Sequence, residues 1–277
     1  YATISNAEIL IRHGNQYKNK NEEMIMKKIL LVLAGTLALS AGMAQAKEWT
    51  TVKVAVDAPY EPFAWKQPNG EYTGFEIELG NAVCEEIKLK CEWITQAWDG
   101  IIPGLLARKY DVIFSSMSIK PERAKKVTFT QPYYATPSAF FAKKGNNHMI
   151  DDGKRLRVGV QRNSNQETYV RELYSNFDLV TYETVDTMVL DLQGERLDLL
   201  FLDYPVGEKT ILTNPDYEIV GDTIRQPESI FGLGVGAAFR PRDKELVELF
   251  DKGLDSVKSN GTYDRIMKKY FTYNIKL

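Results

Sequence analysis

The chain has 277 residues, of which 26% are charged and 44% hydrophobic, with 35 basic residues against 37 acidic ones. This slightly acidic balance argues against nucleic acid and anionic membrane surfaces as partners. Of the two histidines only His148 lies in the predicted mature chain over 47–277, and neither cysteine has a CxxC partner, which argues against a zinc site and against Ser-His-Asp or Cys-His catalysis. We therefore expect neither a metal nor a cofactor.

A secretory signal peptide is predicted near the start of the chain. Two lysines precede an apolar run over residues 29–41, and the small residues Ala44-Gln45-Ala46 follow it, which is the order of the three regions of such a signal. We expect residues 26–46 to be cleaved and the mature protein to be exported to the periplasm. Residues 1–25 are predicted to be upstream, disordered sequence. From the totals of 35 and 37, the mature chain keeps 30 basic and 34 acidic residues, a net charge of −4.

Cys84 and Cys91 are the two cysteines of the chain. In an exported protein an even pair suggests one disulfide, with two buried free thiols as the alternative. Such a bridge would close a short loop, so its entropic contribution to stability would be modest.

Strand and helix patterns alternate through the first part of the predicted mature chain. Polar and apolar residues alternate over 51–56, which predicts a strand, and apolar residues recur every four positions over 75–87, which predicts an amphipathic helix. A strand over 92–95, a helix over 101–109 and a buried strand over 112–114 follow. This βαβαβ order favours a parallel sheet covered by helices.

A second α/β series begins after Pro137. The patterns predict strands over 139–142, 156–160, 179–182, 199–202 and 234–239, and helices over 166–174, 185–192, 205–212, 244–258 and 263–270. Renewed alternation predicts a second lobe over 138–234, with 47–137 and 235–277 forming the first. Strand-like crossings near 138–142 and 230–234 suit a two-stranded hinge between them.

Ligands of open α/β lobes bind at the carboxyl ends of strands, and these positions carry unusual residues here. Over 115–123, three hydroxyls and free backbone N–H groups precede a helix opened by Pro121, which suits an anion such as a carboxylate. Arg123 adds a planar fork for the same group. The candidate ligand-binding residues are Asp57, Tyr60, Trp98, Ser115, Ser116, Ser118, Arg123, Gln161, Ser164, Asn165 and Asp203. Taken singly, the aspartates suit helix caps and the aromatics suit a core.

With these residues the chain resembles the periplasmic amino-acid-binding proteins of solute-binding family 3. It is most similar to the branch of lysine/arginine/ornithine- and histidine-binding proteins of ABC importers. The resemblance covers residues 47–277 and is carried by residues 57–63, 74–79, 115–123 and 260–263. It implies a two-lobe periplasmic binding protein of type II, each lobe a mostly parallel sheet flanked by helices. The spacing of the two cysteines also resembles that branch, where the pair is a disulfide.

The resemblance implies roles for the residues that would hold the amino-acid backbone. Arg123 would pair with the α-carboxylate, helped by the N–H groups of Ser116 and Asn165. Asp203 would take the α-ammonium. One fixed cation and one fixed anion are what a zwitterion requires, so the charges agree with these roles.

The remaining roles concern the ammonium and the side chain. Ser115 and the hydroxyl of Ser118 would help to hold the ammonium. Asp57 would meet the cationic end of the side chain, which Tyr60 and Trp98 would sandwich; each cation–π contact contributes roughly 0.5–2 kcal/mol.

One segment departs from the family pattern. Many relatives have a glycine-threonine pair where this chain has Asn163-Ser164, but asparagine tolerates the positive φ that such a turn requires. Gln161 stands where histidine-binding relatives often have an apolar residue. Because its amide could hydrogen-bond a guanidinium, it favours arginine as the ligand.

We interpret the chain as a receptor, acting as a monomer, that captures arginine, lysine, ornithine or histidine and delivers it to an ABC permease. Receptors of this kind close by hinge motion and need no cofactor. One alternative is a dehydratase of prephenate-like acids on the same fold, although the anionic Asp57 does not suit a dicarboxylate. The others are a receptor for another polar amino acid and a sensor domain of a membrane kinase.

Overall fold

The structure is a computed structural model that describes residues 49–145, 153 and 155–277. The predictions for residues 1–25 and for the signal peptide over 26–46 lie outside the described residues. Within the described ranges, no helix is long and apolar enough to cross a bilayer.

The first lobe is built on a five-stranded sheet. Its elements in chain order are β1 (Thr51–Val56), β2 (Trp65–Lys66), β3 (Tyr72–Thr73), α1 (Phe75–Glu86), β4 (Lys90–Thr95), a 3₁₀ turn (Trp98–Gly100), α2 (Ile101–Leu106), β5 (Val112–Ile113), α3 (Pro121–Ala124) and β6 (Thr128–Phe129). After the second lobe the chain adds β12 (Ala238–Phe239), α8 (Lys244–Ser259) and α9 (Thr262–Tyr270). The strands lie in the order β4-β1-β5-β12-β6.

The second lobe repeats this plan. Its elements are β7 (Ser138–Lys143), β8 (Arg157–Gln161), α4 (Asn165–Leu173), β9 (Asp178–Tyr182), α5 (Val185–Gln193), β10 (Leu199–Asp203), α6 (Tyr204–Thr210), β11 (Tyr217–Ile224) and α7 (Glu228–Phe231). The strand order is β11-β7-β10-β8-β9. The two-lobe α/β fold is thus confirmed, while the boundaries at 137/138 and 234/235 stay predictions.

Each sheet is mostly parallel, as predicted, with one strand that runs opposite to the other four. β1 pairs in parallel with β4 and β5, whereas β12 pairs antiparallel with β5 and β6. In the second sheet β8 pairs in parallel with β9 and β10, whereas β7 pairs antiparallel with β10 and β11. The strands β7 and β12, each of which follows a crossing between the lobes, are the ones that run opposite to the rest of their sheets.

Apolar side chains buried between sheets and helices hold the lobes together. The helix α1 buries Phe75, Leu79 and Val83 at 0% exposure, which is the four-residue repeat that predicted it. In the second lobe, Phe140 stacks on Phe201 with ring centroids 4.1 Å apart. These cores fix the strand ends that carry the candidate site.

The predicted hinge is partly corrected. The second crossing near 230–234 is not a strand: α7 ends at Phe231, and Gly232 and Gly234 have φ angles of 79° and 132°, a left-handed backbone that interrupts extended structure. The crossings instead meet at an isolated antiparallel bridge between Tyr134 and Val235.

The two cysteines form the predicted disulfide. Cys84 lies in the last turn of α1 and Cys91 in β4, with Cα atoms 6.1 Å apart. The bridge therefore joins the end of a helix to the strand that follows it.

Candidate functional site

A polar cavity lies between the two lobes, at the carboxyl ends of their strands. Asp57 follows β1, Ser115 follows β5, Gln161 ends β8 and Asp203 ends β10. All eleven predicted residues line this cavity together with one that was not predicted, Gln166. The sequence thus located the cavity, and contact of these side chains with a ligand stays a prediction.

Arg123 provides a buried positive charge at one end of the cavity. It is 6% exposed, and its Nη1 donates to the carbonyl oxygen of Ser118 at 3.3 Å. Its guanidinium lies over the Trp98 ring, 5.2 Å from the centroid, so Trp98 contacts the arginine of the protein itself. Burial lowers the pKa of Arg123 to about 10. Among the described residues Arg123 has no ion-pair partner, and a buried unpaired charge is costly, so this end suits an anion.

Asp203 is a buried carboxylate held by neutral donors. Tyr60 Oη and Gln166 Nε2 donate to it at 2.8 Å each, and Ser138 Oγ donates at 3.3 Å. Burial raises the pKa of Asp203, and no described lysine or arginine forms an ion pair with it. This end of the cavity therefore suits a cation.

Asp57 is a second buried carboxylate without a basic partner among the described residues. It is 7% exposed, and Gln161 Nε2 donates to its Oδ2 at 2.7 Å. Its backbone N–H donates to Ser115 Oγ at 2.9 Å. Burial, with smaller contributions from Asp99 and Glu183, raises the pKa of Asp57 to about 7.

The lobes are closed over the cavity. Three hydrogen bonds cross between them beside the cavity: Tyr60 to Asp203, Gln161 to Asp57, and Asn165 Nδ2 to Ser118 Oγ at 2.9 Å. At the rim, Trp98 Nε1 donates to the carbonyl oxygen of Asn163 at 3.2 Å, and Arg162 pairs with Asp99 at 3.1 Å. Closure buries the charged side chains described above.

The role implied for one backbone N–H needs correction. The N–H of Ser116 donates to the carboxylate of Glu76 at 2.9 and 2.8 Å, so it is not free for a ligand carboxylate. Ser164 caps α4, with its Oγ accepting from the N–H of Glu167 at 3.0 Å. Asn163 has a φ of 60°, which agrees with the predicted turn.

Gln166 and Ser138 were missed, although both contact Asp203. Gln166 lies one residue beyond the predicted Asn165, and its Nε2 also donates to Ser138 Oγ at 2.9 Å. Its position in the first turn of α4, on a helix that starts at the end of β8, was the available signal. A polar residue in a first helical turn is ordinary, so that signal was weak.

Two buried sheets joined by a crossing, with a polar cavity closed between them, define a two-lobe solute-binding protein. The sequence matches the bacterial extracellular solute-binding proteins, family 3, over residues 52–273. The chain belongs to this family.

The chain matches curated relatives over nearly the whole length of those relatives. The lysine/arginine/ornithine-binding periplasmic protein of Escherichia coli (strain K12) is 35% identical over 258 residues, 90% of this chain and 99% of the relative. The L-arginine-binding protein of Pseudomonas aeruginosa is 38% identical over 258 residues, 90% of this chain and 98% of the relative. Both relatives are named as binding proteins and the family is one of solute-binding proteins, so the prediction of a binding protein rather than an enzyme is confirmed at the level of the class.

Solved structures agree in fold. A Salmonella typhimurium periplasmic binding protein described for its high arginine specificity superposes with a TM-score of 0.77 at 29% identity, covering 80% of this chain and 100% of that one. An ancestral arginine-binding protein bound to glutamine gives a TM-score of 0.75 at 32% identity, covering 82% and 100%.

Proposed function

We propose that this chain is the receptor of an ABC importer for a cationic L-amino acid: arginine, lysine, ornithine or histidine. The observation that carries the proposal is the charge of the closed cavity. Its charged lining residues are Asp57, Asp203 and Arg123, a net charge of −1 when all three are ionised. A zwitterion with one further positive charge neutralises that set, whereas a neutral amino acid leaves one carboxylate buried without a partner.

The positions of the charges suit the same ligand. Arg123 lines the cavity and has no ion-pair partner among the described residues, so we assign it the α-carboxylate. Asp203 takes the α-ammonium, and Asp57 takes the cationic end of the side chain. Tyr60 adds a ring beside the aliphatic stem, while its hydroxyl stays on Asp203.

Within the cationic amino acids, Gln161 favours arginine. Its Nε2 is engaged by Asp57 and by the carbonyl oxygen of Glu183, at 2.7 and 3.1 Å. No described donor contacts its Oε1, which leaves an acceptor for a guanidinium N–H. An arginine side chain has five such donors in a fixed fork, against three on a lysine ammonium.

A receptor for a polar, uncharged amino acid is the second candidate. It is favoured by the ancestral arginine-binding protein whose structure contains glutamine. The pKa of Asp57, about 7, would also allow this carboxyl to be neutral in slightly acidic surroundings, where it would no longer require a cation.

A thermal-shift screen against the twenty common amino acids and ornithine tests the proposal. Because ligands that bind only the native state stabilise it by mass action, the four cationic compounds are expected to give the largest increases in melting temperature. A larger shift with glutamine than with any cationic amino acid would favour the second candidate, and shifts with acidic amino acids alone would contradict both.

Export to the periplasm, action as a monomer and delivery to a membrane permease complete the proposal. The family supports export and delivery to a permease, since a relative and a solved structure above are described as periplasmic binding proteins. Action as a monomer stays a prediction. Sequencing of the exported product should read Lys-Glu-Trp-Thr from residue 47. A product that retains residues 26–46 would contradict the signal peptide.

A further inference from the structure

Two half-buried tyrosines from different lobes converge on one carboxylate outside the cavity. Glu208 lies in α6 of the second lobe, and Tyr204, four residues earlier in that helix, donates from its Oη to Glu208 Oε1 at 3.2 Å. Tyr273, in the segment that follows α9, donates from its Oη to Glu208 Oε2 at 3.2 Å. The rings of the two tyrosines lie 5.9 Å apart. Both oxygens of Glu208 thus accept from a tyrosine hydroxyl, one in its own helix and one in the first lobe.

The segment that carries Tyr273 is fixed to the first lobe on both sides of that residue. Phe271 is buried, and its ring lies 5.3 Å from the ring of Phe75 in α1. Ile275 is also buried, and its carbonyl oxygen accepts from the N–H of Ala135 at 3.0 Å. Tyr273 therefore moves with the first lobe while its acceptor moves with the second, so their hydrogen bond joins the two lobes.

This hydrogen bond has a counterpart inside the cavity. Tyr60 of the first lobe donates to Asp203 at 2.8 Å, and Asp203 immediately precedes α6. In both contacts a tyrosine of the first lobe donates to a carboxylate of the second. Asp203 lines the cavity, whereas Glu208 and Tyr273 do not. The Tyr273–Glu208 bond can therefore hold the lobes together without competing with a ligand for either group.

We propose that Tyr273 and Glu208 form a latch outside the cavity, which stabilises the closed lobes and slows release of the bound amino acid. This inference rests on the proposed function and extends it from ligand contacts to the rate of ligand release. A contact made only in the closed arrangement stabilises that arrangement alone, so it lowers the dissociation rate constant and leaves the first encounter with the ligand unchanged. Because neither residue lines the cavity, the effect is the same for each amino acid that binds.

Tyr273→Phe tests the latch, because it keeps the ring and removes only the hydroxyl. Stopped-flow fluorescence with L-arginine and with L-lysine gives both rate constants, since Trp98 donates across the lobes to the carbonyl oxygen of Asn163 and its surroundings change on closure. We expect the dissociation rate constant to rise about three- to tenfold, the scale of one hydrogen bond. The association rate constant should change less than about twofold, and the preference between the two ligands should stay that of the wild type.

Tyr270→Phe is the matched control. Tyr270 lies in α9, and its Oη donates to Glu78 Oε1 in α1. This is also a hydrogen bond from a tyrosine to a glutamate, but both partners belong to the first lobe. Its loss should lower the melting temperature and change the dissociation rate constant less than about twofold. A purely structural role of the Tyr273 hydroxyl would make the two variants behave alike.

Glu208→Gln tests the same contact from the second lobe and serves if Tyr273→Phe does not fold. The substitution preserves the size of the side chain and removes the charge that strengthens the hydrogen bond, so dissociation should accelerate at least about twofold. In a double-mutant cycle the two substitutions should be non-additive, because each removes the same interaction. The double variant should then release arginine about as fast as the faster single variant.

Calorimetry on the same samples separates this inference from the proposed function. If arginine binds the wild-type protein, the latch alone is overturned by an unchanged dissociation rate constant in Tyr273→Phe, by an equal rise in Tyr270→Phe, or by additive effects in the double-mutant cycle. If neither arginine nor any other cationic amino acid binds the wild-type protein, the proposed function is overturned, and a latch that retains such ligands is overturned with it.

Discussion

Arg123 is the residue on which the proposed carboxylate site depends. Its burial lowers its pKa to about 10, so it remains charged at neutral pH, and the described residues offer it no counter-ion. A ligand carboxylate would supply one. Removal of the Arg123 guanidinium is therefore expected to reduce the free energy of ligand binding by a large amount for a single side chain.

For Arg123→Ala we expect arginine affinity to fall at least a hundredfold, since breaking a buried charge pair costs about 3–5 kcal/mol. Titration calorimetry measures the loss, and circular dichroism verifies the fold. A loss below tenfold in a folded variant would remove Arg123 from the ligand contacts.

Asp57 makes ligand binding depend on pH. Burial raises its pKa from 3.8 to about 7, so the folded protein binds this proton more tightly than the unfolded chain does. From this group alone, the stability of the ligand-free protein falls as pH rises from about 4 to 7 and is level above that. A cationic side chain requires the ionised form, so its binding displaces the proton.

We therefore expect arginine affinity to weaken as pH falls below about 7, by up to tenfold per pH unit, with proton release on binding. Calorimetry in two buffers of different ionisation enthalpy measures that proton at pH 6 and pH 8. Asp57→Asn should remove the part of the pH dependence that this group contributes and weaken arginine binding by roughly 1.5–3 kcal/mol. If the arginine affinity of the wild-type protein stayed the same from pH 8 to pH 5.5, this role of Asp57 would be contradicted.

Single residues show which parts of the candidate site could be predicted from the sequence. Asp57 and Asp203 were predictable because they stand at the ends of recognisable strands, which meet at one edge of an α/β lobe. Arg123 was predictable because it lies in the helix that Pro121 opens after such a strand. Glu76 and Ser138 were not, because a glutamate in a first helical turn and a serine in a strand look ordinary. Their roles arise from contacts with Ser116 and Asp203, which are 40 and 65 residues away in the chain.

At the scale of elements, long amphipathic helices and buried strands were predictable, whereas short or exposed strands were not. The helix α8 repeats apolar residues over four turns and was predicted within one residue of its end at Ser259. The strand β11 was missed because it contains Gly221 and Asp222 and is largely exposed. It joins its sheet by antiparallel pairing with β7, a long-range contact that local periodicity does not encode.

The disulfide is an element-scale feature with a separable effect. It joins the end of α1 to β4, and neither Cys84 nor Cys91 lines the cavity. Reduction should lower the free energy of unfolding by about 2 kcal/mol, as expected for so short a loop, and change arginine affinity less than twofold. Thermal unfolding and calorimetry with and without reductant measure the two effects. If reduction lowered the free energy of arginine binding more than the free energy of unfolding, the disulfide would be shown to influence the cavity.

At the scale of the whole molecule, ligand binding depends on closure of the two lobes. The contacts Tyr60–Asp203 and Gln161–Asp57 cross the cavity, yet each joins carboxylates to neutral donors and leaves the net charge unbalanced. We expect a cationic ligand to stabilise this closed arrangement by supplying the missing charge. Small-angle X-ray scattering should then show a decrease in the radius of gyration on addition of arginine, and an unchanged radius would argue against hinge closure.

The central claim is that the closed cavity recognises a positive charge on the ligand side chain. Citrulline has nearly the shape of arginine but no charge, so titration calorimetry of both ligands on the wild-type protein at pH 8, where Asp57 is ionised, isolates that charge. The account predicts that arginine binds at least about tenfold more tightly, the scale of a hydrogen bond to a charged group. Equal affinities for arginine and citrulline would contradict it.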